Sequence, residues 1–383
     1  MPAPKILQIV EAFGGGVFYS VTQTCNLLAQ TGCRVQLIYS LRPEAPANFI
    51  DFLDPSIKLI SFPMRREISL AADLCALRQI MRQIYEFQPD IIHLHSSKAG
   101  ALGRVAAKLT RYHHYIFYSP RGLSFLRTDV SPIKRCLFGA IEFCLARLGG
   151  TLVACSESEL WKIRHQLHTR RCVLIENAVP TAHVLEKIHG DSRGRPLLVG
   201  TVGRITPAKN PELFSRMADA LLTENVHMRW IGGDDHHQYE TRLRKAGVEI
   251  SGWLSREQVY RELIQLDVYL QTSFWEGMPV SVIEAQVAGI PCVVTDVVGN
   301  RDVVHHGITG FVAKNEIELI AYIRRLMVDS DLRRQMGRQA RLQALQRFSL
   351  DRLQRELLQL YKLQYMEEEA HKTKAGTAAS GTY

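Results

Sequence analysis

The sequence has no long hydrophobic run, since no apolar stretch reaches the roughly 18 residues that a membrane-spanning helix needs. Its opening residues, MPAPKILQIV, lead directly into a predicted strand and lack the charged and then apolar layout of a signal peptide. The eight cysteines form no C-x-x-C pair and no cluster with histidine, which disfavours a zinc site. We therefore expect a cytoplasmic protein whose cysteines are buried thiols.

Positive charge is concentrated in the first half of the chain. Residues 1–180 hold 21 Lys and Arg against 13 Asp and Glu, a balance of +8, whereas the remainder holds 26 against 25, or +1. A basic half suits nucleic acid, an anionic membrane or an anionic substrate. No nucleic-acid-binding module is recognisable, so we expect no nucleic acid partner. We favour a membrane surface, with a simple contribution to solubility as the alternative.

A length of 383 residues predicts two domains rather than a single core. Strand and helix patterns alternate through both halves, which predicts two parallel sheets covered by helices, an α/β fold. We expect a first domain at residues 1–180, a polar linker at 181–196 and a second domain at 197–345. The tail at 366–383 is charged and then rich in Gly, Ala, Ser and Thr, which predicts disorder.

The stretch from Ser273 to Ala285, SFWEGMPVSVIEA, is the most informative part of the sequence. Gly277 permits close backbone approach to a ligand, and Pro279 suits the first turn of a helix. That helix would direct free N–H groups and its positive end at an anion such as phosphate. Glu276 and Glu284 could then face one pocket that suits a sugar linked to a diphosphate. Two glutamates near a helix start are also common on solvated surfaces.

Two cations follow the first strand of the second half, in the loop Gly203 to Asn210. Arg204 and Lys209 would lie at the carboxyl end of this strand, beside a helix that begins near Pro211. There they could neutralise a diphosphate and stabilise the charge that develops on it as it leaves. The alternative is a surface arginine and a surface lysine.

In the first half, Gly14-Gly15-Gly16 follows a strand and precedes a helix from about Tyr19, which suits either a plain turn or a phosphate loop. It is not G-x-G-x-x-G, so dinucleotide binding is disfavoured. A later strand ends in His93 and His95, which lack further ligands for a metal site. Ser96 to Gly100, with Lys98, opens the next helix.

Arg121 follows the next strand. Because arginine cannot act as a base at neutral pH, Arg121 would bind a phosphate or an anionic acceptor, or would be solvated. A helix from Ser131 carries Lys134, Arg135 and Arg147 around an apolar face. The apolar face consists of Leu137, Phe138, Ile141, Phe143 and Leu145. This helix could lie on a membrane surface, but we expect its apolar face to pack on the sheet.

Three phrases of the sequence resemble the retaining enzymes of glycosyltransferase family 4. They are E-G-M-P-x-S-x-x-E-A-x-x-x-G-x-P-x-V from Glu276, G-R-x-x-x-x-K-N from Gly203, and D-I-I-H-x-H-S-S-K-A-G-x-L-G-R from Asp90. The third is typical of members that build polysaccharides. The resemblance covers roughly residues 5–345. It departs at Arg121, where relatives often have histidine near the reacting sugar, and that role is therefore in doubt.

The resemblance implies the GT-B fold, two facing Rossmann-like domains with a crossover helix at 346–365 that returns to the first domain. It implies a retaining, metal-independent hexosyltransferase whose donor is a UDP- or GDP-sugar, with no cofactor. The sequence also lacks the D-x-D motif of many metal-dependent transferases. The expected acceptor is a lipid-linked glycan of O-antigen, capsule or exopolysaccharide biosynthesis. We expect the enzyme on the cytoplasmic face of the membrane, with peripheral contact to anionic lipid.

The resemblance also implies roles for single residues. Arg204 and Lys209 would bind the diphosphate and stabilise its departure, Glu276 would hold sugar hydroxyls and Glu284 would bind the ribose. The other donor-binding candidates are Gly15, Gly16, Gly203, Gly277, Met278, Pro279 and Val280. The acceptor-side or unassigned candidates are His95, Lys98 and Arg121.

Two alternatives remain open on the sequence alone. A nucleotide-sugar epimerase or hydrolase of the same architecture would release a sugar product without any acceptor. A nucleotide-sugar-binding partner without turnover is favoured only by Arg121 in place of histidine.

Overall fold

The computed structural model describes residues 3–65, 67–112, 115–187, 194–234 and 238–362. Its first sheet has seven parallel strands in the order β3-β2-β1-β4-β5-β6-β7. The strands are β1 (Lys5–Phe13), β2 (Arg34–Leu41), β3 (Lys58–Ser61), β4 (Ile91–His95), β5 (Tyr115–Ser119), β6 (Thr151–Ala154) and β7 (Cys172–Leu174). The helices between them are α1 (Gly15–Gln30), α2 (Leu70–Phe87), α3 (Ser97–Leu109), α4 (Pro132–Leu145) and α5 (Glu157–Gln166).

The second sheet has six parallel strands in the order β10-β9-β8-β11-β12-β13. The strands are β8 (Leu197–Val202), β9 (Val226–Ile231), β10 (Glu249–Ile250), β11 (Val268–Gln271), β12 (Cys292–Thr295) and β13 (Gly310–Ala313). The helices are α6 (Pro211–Leu221), α7 (Glu240–Lys245), α8 (Arg256–Leu263), α9 (Val280–Val287), α10 (Asn300–Val303), α11 (Glu316–Val328), α12 (Ser330–Arg347) and α13 over residues 350–362. The two parallel sheets confirm the predicted α/β fold.

Strand β1 shows how the first sheet is buried on both faces. Ile6 and Val10 point to one side, where α1 and α13 cover the sheet. Leu7 and Ile9 point to the other side, where α2, α3 and α5 cover it. This alternation follows from the two-residue period of a strand, and helices on both faces are typical of parallel sheets. Both faces of β1 are therefore apolar.

The last helix, α13, packs on the first domain although it follows the second domain in the chain. Leu353, Leu357 and Tyr361 recur at helical spacing and are buried in the same cluster as α1 and β1. The predicted domain boundaries stay predictions. The tail at 366–383 and residues 188–193 of the predicted linker lie outside the described residues.

Helix α4 agrees with the prediction only in part. Of the predicted apolar face, Phe138 and Phe143 pack against the core of the first domain, but Leu137 is 50% exposed. The inward side also carries Glu142, which is bound by Arg104 and Tyr118 of the neighbouring α3 and β5. A buried charge partner therefore set the rotation of this helix, which hydrophobic periodicity could not reveal.

The cysteines are also less buried than predicted. Cys25, Cys155, Cys172 and Cys292 are buried, but Cys75, Cys136 and Cys144 are exposed. The exposed thiols lie on α2 and α4, whose outward sides carry apolar residues. Apolar sequence context therefore did not indicate burial on these two helices.

Candidate active site

The loop after β8 carries the two predicted diphosphate-binding cations. Gly203 has a φ of +142°, and a Cβ at this position would lie 3.4 Å from Lys209 Cε. Glycine therefore lets the lysine side chain lie against the turn. The indole of Trp230 donates to the Gly203 carbonyl at 2.7 Å. Asn210 then caps α6, because its Oδ1 accepts the Leu213 amide at 3.1 Å.

Lys209 forms an ion pair with Glu276 at the carboxyl edge of the second sheet, with Nζ and Oε1 2.8 Å apart. The same carboxylate oxygen accepts from Ser273 Oγ at 2.7 Å and from Gln271 Nε2 at 2.9 Å. Burial opposes the charge of Lys209, but the charge and hydrogen bond of Glu276 together with Tyr269 outweigh it, so the pKa of Lys209 is raised. Lys209 is therefore a cation at neutral pH, and it stays 20% exposed to the cleft.

The start of α9 lies at the boundary between the two domains. The helix begins directly after Pro279. The Met278 carbonyl accepts from Asn177 Nδ2 of the first domain at 2.9 Å. At Gly277 the two backbones touch, since a Cβ there would lie 2.8 Å from the Gly122 amide nitrogen. The amides at the positive end of α9 therefore lie where the two domains meet.

Glu284, which we expected to face one pocket with Glu276, lies among side chains of α8. It is 1% exposed and forms an ion pair with Arg256 of α8. Tyr260 OH donates to the same oxygen at 3.3 Å. Arg256 also lies over the ring of Tyr19 in the first domain, with Cζ 4.2 Å from the ring centroid. A ribose at Glu284 would therefore have to share this carboxylate with Arg256 or replace it.

Arg204 reaches across the cleft to the first domain. Its NH1 donates to Glu44 Oε1 at 2.7 Å, with the arginine 30% and the glutamate 10% exposed. Glu44 lies against the glycine loop, since a Cβ at Gly14 would lie 2.7 Å from Glu44 Cγ. Arg204, which was predicted to bind diphosphate, is thus paired with a carboxylate of the first domain.

The predicted glycine loop is the first turn of α1. This helix begins at Gly15, whereas the prediction placed its start near Tyr19. Glycine is a poor helix former, which explains why the sequence pattern began too late. A Cβ at Gly15 or Gly16 would meet no atom within 4 Å. Open space therefore adjoins the N-terminal turn of α1, as a bound phosphate would require.

Arg121 points into the first domain rather than into the cleft or the solvent. Its NH1 donates to Ser20 Oγ at 2.7 Å and to Asn177 Oδ1 at 2.9 Å, and its NH2 lies 3.3 Å from His95 Nδ1. Because a guanidinium only donates, His95 accepts at Nδ1 and donates from Nε2 to Gln8 Oε1 at 2.7 Å. The structure thus gives Arg121 and His95 partners inside the protein.

His93 continues this buried chain of hydrogen bonds. Its ring nitrogens lie 2.6 Å from Tyr361 OH of α13 and 2.9 Å from Ser119 Oγ. Burial lowers the pKa of both His93 and His95 well below the ordinary value. Both imidazoles are therefore neutral. Lys98, the remaining candidate, pairs with Asp73 Oδ1 of α2 at 2.7 Å.

A cavity of about 740 Å³ lies between the domains beside the loop that carries Glu276. Its walls include aromatic and charged side chains: Trp161 and Lys162 from α5, and Phe274, Trp275, Arg301 and Asp302 from the second domain. Asp302 Oδ1 accepts the Ser158 amide at 2.9 Å and joins the two walls. The cavity has the size and aromatic lining of small-molecule sites.

Sequence reasoning missed several residues at this site, namely Glu44, Arg256, Tyr19 and Asn177. Each of them contacts a residue of the other domain that lies more than one hundred positions away along the chain. Spacing along the chain carries no signal for such pairs. Arg256 alone has a local signal, because it lies within the capping box that Ser255 and Gln258 form at the start of α8.

Two family models match consecutive parts of the chain. "Glycosyltransferase Family 4" matches residues 14–183, and "Glycosyl transferases group 1" matches residues 186–343. Among curated relatives, the Escherichia coli UDP-Gal:alpha-D-GlcNAc-diphosphoundecaprenol alpha-1,3-galactosyltransferase is 28% identical over 70% of this chain and 74% of its own length. The Staphylococcus aureus capsular polysaccharide biosynthesis glycosyltransferase CapM is 25% identical over 80% of this chain and 85% of its own length.

Solved structures share the fold over nearly the full length. The sucrose-phosphate synthase of Thermosynechococcus elongatus has a TM-score of 0.81 at 16% identity, covering 95% of this chain and 100% of that one. Anabaena Alr3699/HepE in complex with UDP and glucose has a TM-score of 0.76 at 17% identity, covering 94% and 99%. Within the described ranges, no helix combines the length and apolar character needed to cross a membrane.

Proposed function

The chain belongs to glycosyltransferase family 4 and is a glycosyltransferase of polysaccharide biosynthesis with the GT-B fold, and we propose that it transfers a hexose with retention from a nucleotide-diphosphate sugar to a lipid-linked glycan. The observation that carries this proposal is the cleft itself. Lys209 pairs with Glu276 there, α9 begins directly after Pro279, and Arg204 binds Glu44 beside the glycine turn of α1. Cations and backbone amides suit the diphosphate, and a carboxylate that accepts hydrogen bonds from hydroxyls suits the sugar.

A UDP-sugar is the donor we propose to test first, with a GDP-sugar as the other candidate. The name of the Escherichia coli relative specifies UDP-Gal, and the Anabaena protein of the same fold binds UDP in its structure. In this chain Arg204 and Lys209 would neutralise the diphosphate, and Glu284 would bind the ribose once Arg256 shifts from it. Glu276 would hold hydroxyls of the sugar.

The reaction would proceed on one face of the sugar. The bond from the anomeric carbon to the diphosphate oxygen breaks, and the acceptor hydroxyl oxygen forms a bond to that carbon from the same side. The acceptor proton passes to the departing diphosphate, so no protein base is required. Arg204 and Lys209 would stabilise the developing negative charge in the role that a metal has elsewhere. We therefore propose that no metal is needed.

The acceptor is proposed to be a glycan carried on a lipid diphosphate, at the cytoplasmic face of a membrane. The Escherichia coli relative acts, by its name, on a diphosphoundecaprenol-linked sugar. The cavity beside Glu276 has room for more than one sugar ring, and aromatic rings such as Trp161 and Trp275 offer faces on which sugars can lie. Peripheral contact with anionic lipid would fit the basic first half.

A two-stage experiment tests this proposal. Thermal unfolding is first followed with UDP-, GDP-, ADP- and dTDP-sugars, where a donor at 100 times its dissociation constant should stabilise the fold by about 2.7 kcal/mol. The stabilising donor is then incubated with a lipid-linked glycan, and the product anomer is read by NMR with and without EDTA. An α-linked product from an α-donor, unaffected by EDTA, is expected.

Different results would point to the alternatives. Sugar released or epimerised at the same rate without any acceptor would indicate a hydrolase or an epimerase. Donor binding without turnover would indicate a binding partner. An inverted product or full inhibition by EDTA would reject the retaining or the metal-independent part of the proposal.

A further inference from the structure

One side of helix α4 exposes apolar residues to solvent, whereas Phe138 and Phe143 pack against the core and Glu142 faces the protein. Ile133 is 82% exposed and Leu137 is 50% exposed, whereas Glu142 is 2% exposed. The exposed apolar positions recur every three or four residues and form one stripe along the helix: Ile133, Leu137, Ala140 and Cys144, with Leu148 just after it. At 3.6 residues per turn, Glu142 lies on the side opposite the stripe.

The buried carboxylate of Glu142 fixes this orientation. It pairs with Arg104 NH2 at 3.1 Å and accepts from Tyr118 OH at 2.7 Å, and both partners are fully buried. Rotating α4 to bury Leu137 would move Glu142 into solvent and leave Arg104 as an uncompensated buried cation, which is strongly unfavourable. The outward stripe is therefore built into the fold.

Cations surround the stripe. The exposed ones are Lys134 and Arg147 on α4 or directly after it, and Arg164, Arg170 and Arg171 on α5 or after it. Opposing charge is scarce among residues 127–171. Asp129 is paired with Arg127, and Glu142 and Glu159 are buried, which leaves Glu157. An apolar stripe between cations is complementary to an anionic lipid surface.

We propose that this surface docks on an anionic bilayer. We define it as the α4 face: the stripe Ile133, Leu137, Ala140, Cys144 and Leu148 with the five surrounding cations Lys134, Arg147, Arg164, Arg170 and Arg171. The stripe enters the boundary between headgroups and acyl chains, and the cations contact the headgroup phosphates. Docking of the α4 face accounts for the excess of positive charge in residues 1–180, which the catalytic residues of the second domain do not explain.

Trp161 connects the α4 face with the candidate active site. It lies on α5, is 55% exposed, and lines the cavity next to Phe274 and Trp275. Indole rings favour the headgroup region of a bilayer. A bilayer on the α4 face therefore lies near the cavity, so an acceptor can reach Glu276 while its lipid stays in the membrane. This last step rests on the sugar transfer in the proposed function, whereas the docking deepens its proposed contact with anionic lipid and does not depend on the transfer.

Vesicle flotation of the full chain, without donor or acceptor, tests the docking. The protein should float with vesicles of phosphatidylglycerol and phosphatidylcholine, and much less with phosphatidylcholine alone or at high salt. Ile133→Asp with Leu137→Asp should weaken partitioning by more than about tenfold, because the apolar contact is lost. Lys134→Glu with Arg164→Glu should weaken it by about fivefold or more for each cation removed.

The second domain offers matched controls. Ile317 is 80% exposed and is the second residue of α11, as Ile133 is the second residue of α4. Ile317→Asp, and Arg338→Glu with Lys245→Glu at exposed helical positions, should float like the unchanged protein. Unchanged thermal unfolding of each variant shows that it is folded.

Several results would overturn the docking. Equal flotation of the α4-face variants and the controls would do so, as would no flotation with anionic vesicles. Light scattering tests the other possible occupant of this surface, a second copy of the chain. Conversion of a dimer to a monomer by Ile133→Asp would show that the α4 face is a contact between two copies. A failure of the proposed function is distinct, since it would abolish sugar transfer and leave flotation unchanged.

Discussion

The ion pair between Lys209 and Glu276 gives the most direct test of the site. Lys209→Met removes the cation that would face the leaving diphosphate, and we expect kcat to fall by about 10²- to 10³-fold. Steady-state kinetics with the stabilising donor measure this loss. Lys245→Met, at an exposed lysine of α7, is the control and should retain full activity. Unchanged turnover in Lys209→Met would mean that the site is wrongly assigned.

Glu44 is expected to compete with the donor for Arg204. In the free protein its carboxylate holds the guanidinium at 2.7 Å, and a diphosphate would have to displace it. Glu44→Gln removes this competitor and a nearby negative charge, so UDP should bind about three- to tenfold more tightly at low salt. Calorimetry measures the dissociation constant, and the gain should shrink at high salt.

The matched control for Glu44→Gln is Glu86→Gln, which removes the same charge from an exposed ion pair of α2 in the same domain. It should leave UDP affinity unchanged. Weaker binding in Glu44→Gln would show that Glu44 contributes to the donor site instead of blocking it.

The buried histidines make stability depend on pH. Burial holds the pKa values of His93 and His95 well below the ordinary value of 6.5. Below about pH 6.5 the unfolded chain takes up protons on both imidazoles that the folded protein does not bind. The contribution of these two histidines to the free energy of unfolding is therefore complete above pH 6.5, and it is lost as the pH falls below that value. Each histidine adds a slope of up to about 1.4 kcal/mol per pH unit.

His95→Gln should reduce this slope, because one of the two imidazoles is removed while a side chain that can reach Gln8 or Arg121 is kept. Unfolding midpoints measured between pH 5 and 7.5 would show it. His227→Gln, at an exposed position of β9, should keep the original slope. A slope as steep in His95→Gln as in the unchanged protein would contradict the prediction.

Single residues were predictable from the sequence where a local pattern contained them. Lys209 and Glu276 are 67 positions apart, but each lies in a short phrase that follows a strand, and parallel strands bring such loops to one edge. The pairing of Arg204 with Glu44 was not predictable, because it joins two domains across 160 positions. The inward direction of Arg121 depends on Ser20 and Asn177, and no spacing rule links these three.

Helix α13 is expected to stabilise the first domain, although it lies at the far end of the chain. Leu357 is 2% exposed there, in the cluster that contains α1 and β1. Leu357→Ala should lower the free energy of unfolding by about 2–5 kcal/mol, the range for a buried leucine whose cavity does not collapse. Urea unfolding followed by circular dichroism measures this. Gln359→Ala, exposed on the same helix, should change stability little, and an equal loss there would contradict the packing.

Most helices and strands were predictable because their hydrophobic period is clear, but edges and rotations were not. β3 has no counterpart among the predicted strands, since it is a short edge strand with exposed ends. The start of α1 was placed late because glycine begins it. The inward side of α4 was predicted only in part, because the buried ion pair of Glu142 with Arg104 also helps to set its rotation. For α4, a tertiary contact decided what the local pattern left open.

Several contacts between the two domains lie close to the candidate active site. Asn177 reaches the Met278 carbonyl, Ser158 reaches Asp302, and Arg256 covers Tyr19. Each contact lies beside a proposed part of the ligand site, namely the start of α9, the cavity or Glu284. Donor binding would therefore change the contacts that set the distance between the domains, which is how domain closure is coupled to substrate.

Gly277 is where this coupling can be tested, because there the backbones of the two domains meet. A Cβ at position 277 would lie 2.8 Å from the Gly122 nitrogen and 3.0 Å from the Arg121 carbonyl carbon, backbone atoms that cannot rotate away. Gly277→Ala should hold the domains apart, enlarge the radius of gyration measured by X-ray scattering with UDP, and lower kcat by about 10- to 100-fold. Gly139→Ala, whose Cβ would meet only Phe125 at 3.9 Å, is the control. If Gly277→Ala kept both the scattering and the turnover of the unchanged protein, the backbone contact would have no part in catalysis.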